Sequence, residues 1–470
     1  MPTEQNINQF FSQRMPYSVY CLTFTLQFKN GLAAGDGNFG NEMLLARNGK
    51  GELVLRGTSL AGVLRHSYEK QYGEDDTTLF FGTSAENNHN DVSEEIGTES
   101  PLIVSDIVLN VNKNMEYRRT HHLRNRHTGS VVENGLYSIE IAPPETTAQV
   151  TLWFNETKQC NESAKVFLQR LAELIRNGLI FGGNSNRGVG LATANEFVYK
   201  KYSLSEKEQY AEYLNDFYAW RKDGTNSVAN SEKLTPENDS DTNNLTIKFT
   251  LQIPRGQDLL IAEGNEMSPH KIKAADGNEY YLLPGSTLRG LFRSWITRLA
   301  ARDEKARKEG KTVSDSVEHY EEQQRNIKGS EIGWMFNEKL DVSEIDKKYP
   351  VESLFGSLHQ SGRIHFTDAL CPVDKATLQH RKHVALDAIS GGAIEHLLFD
   401  NDVLTQGAFD VTIIVRDVKN YEAEWLAKTL KALHIGLLRV GSSKAAGRLE
   451  LVDKPQSVGS FADIFDTIKL

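Results

Sequence analysis

The chain has 470 residues, 39% of them hydrophobic and 25% charged, and a formal net charge of −10. That length suits two or three domains, and no stretch approaches the roughly 20 apolar residues needed to span a bilayer, so a membrane-spanning protein is not expected. A negative total also excludes a surface coated all over in nucleic acid; any such ligand must sit on local basic patches.

The first residues, MPTEQNINQFFSQRMPYSVY, carry neither a basic start with an apolar run nor a small-residue cleavage site, and a cytoplasmic protein is expected. Cys21, Cys160 and Cys371 lack CxxC spacing, so they read as small buried side chains rather than zinc ligands or a disulfide framework.

In chain order, Phe24-Thr25-Leu26-Gln27-Phe28 alternates apolar and polar residues and predicts a strand. A loop with Asp36 and the sequence GNEM (40–43) leads to GTSLAGVLRHSYEK, a helix from Gly57 with Thr58 or Ser59 as hydroxyl N-cap and Arg65 further along. Leu79-Phe80-Phe81-Gly82 follows, then a strand ending at Ser105-Asp106. The segment KNMEYRRTHHLRNRH sets Lys113, Arg118, Arg119, Arg124 and Arg126 against one acid, Glu116, and opens a stretch led by His122. Such a cation cluster suits contact with RNA phosphates. VFLQRLAELIRNGLIFGG then predicts an amphipathic helix ending at a glycine, and Gly182–Gly190, with Asn184 and Arg187, is a Gly-rich loop able to present N–H groups to an anion.

After a helix over Leu204–Arg221 and a polar stretch from Lys222 to Asn244 that reads as a flexible linker, the same blocks return in the same order. Phe249–Ile253 answers the first strand, and a loop with Asp258 and Glu263 leads to GNEM at 264–267. GSTLRGLFRSWITRL answers the first helix with Ser286 or Thr287 as N-cap, Arg289 and Arg293. Leu354-Phe355-Gly356, Thr367-Asp368, a stretch led by His383, and EWLAKTLKALHIGLLRVG complete the match, pairing Gly178 with Gly436 and Gly183 with Gly441. The second Gly-rich loop holds Ser442, Lys444 and Arg448. A charged insert of about 47 residues, around 303–350, is found only in the second half.

Each half thus gives strand, helix, strand, an inserted excursion, strand, helix, loop, strand. The expected fold is α+β, with two tandem ferredoxin-like (RRM-like) domains over 1–200 and 245–470, joined by a helix and linker over 201–244. Neither Gly-rich loop is a P-loop, since G-x-x-x-x-G-K-[ST] is absent. Because helix N-termini attract phosphate, Ser59, Ser286 and Arg289 fit a groove that contacts the RNA backbone.

The glycine-hydroxyl-leucine start of the first helix with its arginine, the LFG, the stretch HVALDAISGGAIEHLLFD and the final Gly-rich loop, taken twice, resemble the RAMP superfamily of CRISPR-associated proteins. The resemblance is specifically to the backbone subunits of type III effector complexes. It implies binding to CRISPR RNA and single-stranded target RNA beside other backbone and large subunits. It also implies thumb hairpins within about 122–141 and 383–404. Members that cut target RNA carry a metal-supporting aspartate between the first strand and first helix. The nearest positions here are Glu42 and Glu266, with Asp36 as the other acid of the first loop, and Mg²⁺ or Mn²⁺ is the cofactor implied if the domains cut. The competing expectations are a stand-alone RAMP endoribonuclease with a catalytic histidine and a non-catalytic RNA-binding scaffold. An unrelated module that stacks bases on exposed sheet aromatics fits poorly, because the Phe residues of FTLQF and FTLQI point to a buried face.

Overall fold

The computed structural model describes residues 15–39, 42–83, 99–111, 117–124, 131–160, 164–182, 188–224, 231–237, 243–262, 267–307, 349–356, 361–441 and 447–468. The chain divides into two compact units: residues 1–116, 140–183 and 190–240 form unit 1, and residues 117–139, 184–189 and 241–470 form unit 2.

Unit 1 is built from β1 (Ser18–Phe28), α1 (Gly57–Tyr72), α2 (Glu74–Phe81), β2 (Leu102–Ile103), β3 (Thr146–Glu156), α3 (Ala164–Arg176), β4 (Phe197–Ser203) and α4 (Lys207–Asp223). Its sheet has the order β4-β1-β3-β2, antiparallel at each of these contacts. Alternation along β1 sends Tyr20, Leu22, Phe24, Leu26 and Phe28 to one face, where they form a core with Leu60, Leu64 and Tyr68 of α1 and Phe167, Leu168 and Leu171 of α3. Phe80 of α2 stacks on Phe167 at 4.3 Å and joins the short helix to that core.

The other face of this sheet is closed as well. Val19, Cys21, Trp153 and Tyr202 are buried there with Trp220, and Tyr213 and Phe217 pack beside them. The Trp153 ring lies 5.2 Å from Phe217 and 5.8 Å from Trp220, so the aromatic stripe of α4 covers the sheet.

The stretch expected to be a flexible linker is partly built into unit 1. Val198↔Lys233 pairing adds Glu232–Lys233 to the sheet edge, Leu234 is buried, and Glu237 takes an ion pair from Arg170 at 3.1 Å. One apolar residue with flanking charges that find partners is enough to hold a polar segment whose composition alone reads as a linker.

Unit 2 repeats the plan with β5 (Leu245–Gln252), α5 (Gly285–Arg307), α6 (Pro350–Phe355), β6 (Ile364–Phe366), β7 (Thr377–Leu386), β8 (Ala393–Gln406), β9 (Ala408–Val415), α7 (Asn420–His434), β10 (Glu450–Leu451) and β11 (Gln456–Gly459). The sheet order is β6-β9-β5-β10, with β11 also on β5, which is the unit 1 order read from the opposite edge. Ile247, Phe249 and Leu251 face a core with Leu288, Phe292 and Ile296 of α5 and Leu426, Leu430 and Leu433 of α7. β7 and β8 form a separate two-stranded antiparallel ribbon, mostly exposed. Strands Tyr117–Arg124 and Val131–Ile141 are the corresponding pair of the first half, here within a four-stranded sheet that Gly35–Phe39 and Glu42–Leu45 complete. Both units are mixed helix and sheet, consistent with a tandem arrangement.

Candidate nucleic-acid interface

The two first helices begin at the glycines that the sequence marks, but not with a hydroxyl cap. The N-cap of α1 is Arg56, which makes no side-chain cap bond, and the Gly57 N–H donates instead to Asp106 Oδ1 at 2.8 Å. In the second half the Gly285 N–H donates to Asp368 Oδ1 at 2.7 Å. Thr58, Ser59, Ser286 and Thr287 therefore lie inside the first turn, and the Ser/Thr-Asp pairs that follow a strand supply the caps. A carboxylate already sits where the helix dipole would favour a phosphate.

Arg65 is half-buried, and Ser59, six residues before it on the same helix, is exposed. Its counterpart Arg293 is engaged by the protein, in an ion pair with Glu352 at 3.1 Å whose two side chains are 15% and 9% exposed. Arg289 donates to the Phe355 carbonyl and lies over the Phe355 ring. Both second-half arginines thus brace α5 against α6. Glu352 lies four residues before Gly356, and the residue four before Gly82 is Thr78, so the first half offers Arg65 no equivalent acid.

The ribbons carry a feature that sequence comparison missed. His383 stacks on Phe399 at 5.1 Å with 18° between planes, and His121 stacks on Tyr137 at 5.4 Å with 17°. Each pair is separated by sixteen residues. His121, not His122, is therefore the counterpart of His383, and the correct register sets Arg119 on Arg381. The one-residue error follows from two adjacent histidines; the shared sixteen-residue spacing to an aromatic was the signal that would have resolved it. His383 is exposed and its Nε2 lies 3.0 Å from Asn401 Oδ1, which fixes the ring. Arg118 is exposed, whereas Arg119 is buried and bonds Asp368 at 2.5 Å. His122 and Arg124 fall in the strand Tyr117–Arg124; their side chains, and all of Arg126, lie outside the described residues.

The Gly-rich loops are defined at their rims. Gly190 N–H donates to the Gly31 carbonyl at 2.9 Å, and Gly447 N–H to the Asp258 carbonyl at 2.7 Å. Gly182 and Gly441, both at positive φ, press on the carbonyls of Ala33 and Leu260 respectively, so Gly441 answers Gly182 rather than Gly183. Arg448 is half-buried against Gly436. Asn184, Arg187, Ser442 and Lys444, within the loops, lie outside the described residues.

The acids expected in an open loop sit on a hairpin. Gly35–Phe39 pairs with Glu42–Leu45, with Phe39 opposite Glu42, and Glu42 is half-buried. Asp36 is in the first of these strands, though its side chain lies outside the described residues, as does all of Glu266. Asp258 is held bidentately by Arg381 of the ribbon, at 3.1 Å to each oxygen. Among the described residues no three His, Cys, Asp or Glu side chains converge on a metal position, no helix is long and apolar enough to cross a membrane, and all three cysteines are buried thiols.

No curated protein matches the chain. The sequence model of the RAMP superfamily matches residues 25–193 and again 257–450, and the two matched regions contain the two helix starts, both stacked ribbon pairs and both Gly-rich loops. The chain therefore belongs to the RAMP superfamily of CRISPR-associated RNA-binding proteins, and carries the family's domain twice.

Proposed function

We propose that the protein is a backbone subunit of a type III CRISPR effector, in which two ferredoxin-like domains hold successive stretches of one CRISPR RNA and of the target RNA paired to it. The observation that carries this reading is the duplication of the exposed surfaces as well as the cores. Each half has a ribbon with a stacked histidine-aromatic pair and a Gly-rich loop closed on the chain after the first strand. The ribbons take the part of thumbs. A sheet-face reader of single bases is disfavoured, because α4 covers the unit 1 sheet and the outward positions of β5 are Thr246, Lys248, Thr250 and Gln252.

In this reading the cations act on phosphates and supply affinity without sequence preference. Arg187 and Lys444 are assigned to the loops, and Arg65 and Arg118 to the helix and ribbon. For cleavage of target RNA, with the RNA's own 2′-hydroxyl as nucleophile, Glu42 or Glu266 would hold a Mg²⁺ or Mn²⁺ ion, which would supply charge stabilisation at the scissile phosphate. Other backbone subunits and a large subunit complete the assembly.

The test is gel-shift titration of the full chain with guide RNAs of unrelated sequence, for wild type and for Arg187→Glu with Lys444→Glu. A similar affinity loss for every RNA, with a shallower salt dependence, is expected. A loss restricted to one sequence, or a wild type that binds no guide RNA at any salt, would refute the reading.

A further inference from the structure

Within unit 2, the ribbon of the first half is seated on the helix start of the second. Arg119 Nη2 meets Asp368 Oδ2 at 2.5 Å, with the two side chains 5% and 1% exposed. Asp368 also accepts the Gly285 N–H and donates its own N–H to the Gly188 carbonyl at 2.8 Å. A Cβ on Gly285 would come within 2.8 Å of the Gly188 Cα, so both glycines are needed for the fit.

A duplicated chain carries the same two surfaces a second time. Arg381 stands at the Arg119 position of the other ribbon, and Asp106 at the Asp368 position of the other helix start. A head-to-tail contact leaves one unmatched surface at each end of a pair, so copies of the chain would be expected to keep adding through these outer surfaces, to a ring or an open filament.

At two positions the halves differ, and each difference places a charge that occupies one outer surface. The residue before the helix glycine is Pro284 in the second half and Arg56 in the first. Arg56 takes Asp106 Oδ2 at 3.0 Å, the oxygen that corresponds to the one Arg119 takes on Asp368. The residue whose carbonyl receives the loop glycine is Gly31 in the first half and Asp258 in the second. Asp258 holds Arg381 with both oxygens, whereas Gly31 has no side chain to hold Arg119.

We infer that the pairs Arg56–Asp106 and Arg381–Asp258 close the two outer surfaces equivalent to the Arg119–Asp368 contact, and so keep this chain from joining head to tail with further copies of itself. A second copy is excluded because its arginine and its acceptor aspartate are each already held by an ion partner in their own half. Specificity of this sort comes from occupying the wrong partner's site as much as from fitting the right one.

The experiment is mass photometry and sedimentation velocity on the full chain over a wide concentration range. Wild type should remain a monomer with respect to this surface. The double variant Arg56→Pro, Asp258→Gly makes the outer surfaces match the inner one and should give dimers and longer chains that grow with concentration. Adding Arg381→Asp should return it to monomer. Circular dichroism and a thermal melt establish that each variant is folded, and Arg56→Ala replaces Arg56→Pro where the proline variant is not. A folded double variant that stays monomeric would overturn the inference, as would wild-type self-association that Asp106→Arg dissolves. Neither result depends on RNA, so failure here leaves the guide-binding reading to its own test.

Discussion

The Asp106 carboxylate accepts the Gly57 N–H from 49 residues away in sequence, so a residue three beyond a strand, at Leu102–Ile103, starts the first helix. Asp368 does the same for Gly285, but in a buried setting with Arg119 as second partner. Asp106→Ala should therefore cost about 0.5–2 kcal/mol, the range of a lost cap. Asp368→Ala should cost about 3–5 kcal/mol, because it leaves a buried guanidinium without its counter-ion. Urea unfolding of each variant measures the difference, and equal losses would contradict the contrast in burial.

Asp106 also gives a pH signature. The Gly57 N–H holds its carboxyl below the usual carboxylate value; burial, next in size, opposes it, and Arg56 adds to the lowering. A depressed folded-state pKa means that its contribution is present above the unfolded value of about 3.9 and is lost as pH falls through the folded value. The stability difference between wild type and Asp106→Asn should thus be constant near neutral pH and vanish in acid. A difference unchanged down to the lowest folded pH would show that the Gly57 bond does not depend on the charge.

Arg65 and Arg293 occupy equivalent helix positions and should behave differently. Arg293→Ala removes the partner of Glu352, so the expected loss is stability, on the order of 3 kcal/mol, with RNA affinity per folded molecule little changed. Arg65→Ala should leave the melting temperature nearly unaltered and lower the slope of log affinity against log salt by about 1. Paired melts and salt titrations on the two variants read both quantities; an unchanged salt slope for Arg65→Ala would remove it from the RNA surface.

His380, on the ribbon, lies between Asp402 and Asp400, at 3.0 and 3.3 Å. The bond to Asp402, then that to Asp400, raises its pKa above the usual imidazole value of about 6.5. A raised pKa stabilises the ribbon fully below the unfolded value, and the gain is lost as pH rises through the folded value. NMR titration should show His380 titrating above the usual imidazole value and moving down in Asp402→Asn. An unchanged His380 titration in that variant would exclude the carboxylate as the cause.

The order of elements was legible because it rests on local signals: period-two strands, an apolar helical stripe, and glycines whose positive φ marks where chain must turn, as at Gly178 and Gly436. The helix caps were not legible, since a hydroxyl one residue inside the helix looks like a better cap than an aspartate 49 or 83 residues distant. Asp258 is the sharper case. In sequence it is a loop acid and a candidate for chemistry; its guanidinium partner lies 123 residues on, and only strand register brings them together. The stacked ribbon pairs were hidden for the same reason, because cross-strand neighbours have no fixed sequence signature. Glu232–Lys233 was missed because a short edge strand can be polar throughout when it buries little.

Glu42 carries the prediction about chemistry. It opens the strand Glu42–Leu45, half-buried, opposite Phe39, close in sequence to Asp36 on the partner strand. Mg²⁺ is commonly held by one or two carboxylates with water and substrate phosphate completing its shell, so a single glutamate is a sufficient protein anchor. In assembled complexes with guide and target RNA, Glu42→Ala should abolish one cut and Glu266→Ala the other, with target binding nearly unchanged, since the lost interaction belongs to the transition state. EDTA should stop both cuts; persistence in EDTA would point to a histidine nuclease instead. Asp36→Ala distinguishes the other acid of the first hairpin. Asp258→Ala should not remove a cut selectively, because its carboxylate is committed to Arg381; it should loosen the ribbon, read as faster amide exchange along Thr377–Leu386. Loss of a single cut in Asp258→Ala with the ribbon still protected would move the second catalytic acid there, and cuts that survive replacement of both glutamates would remove Glu42 and Glu266 from the chemistry.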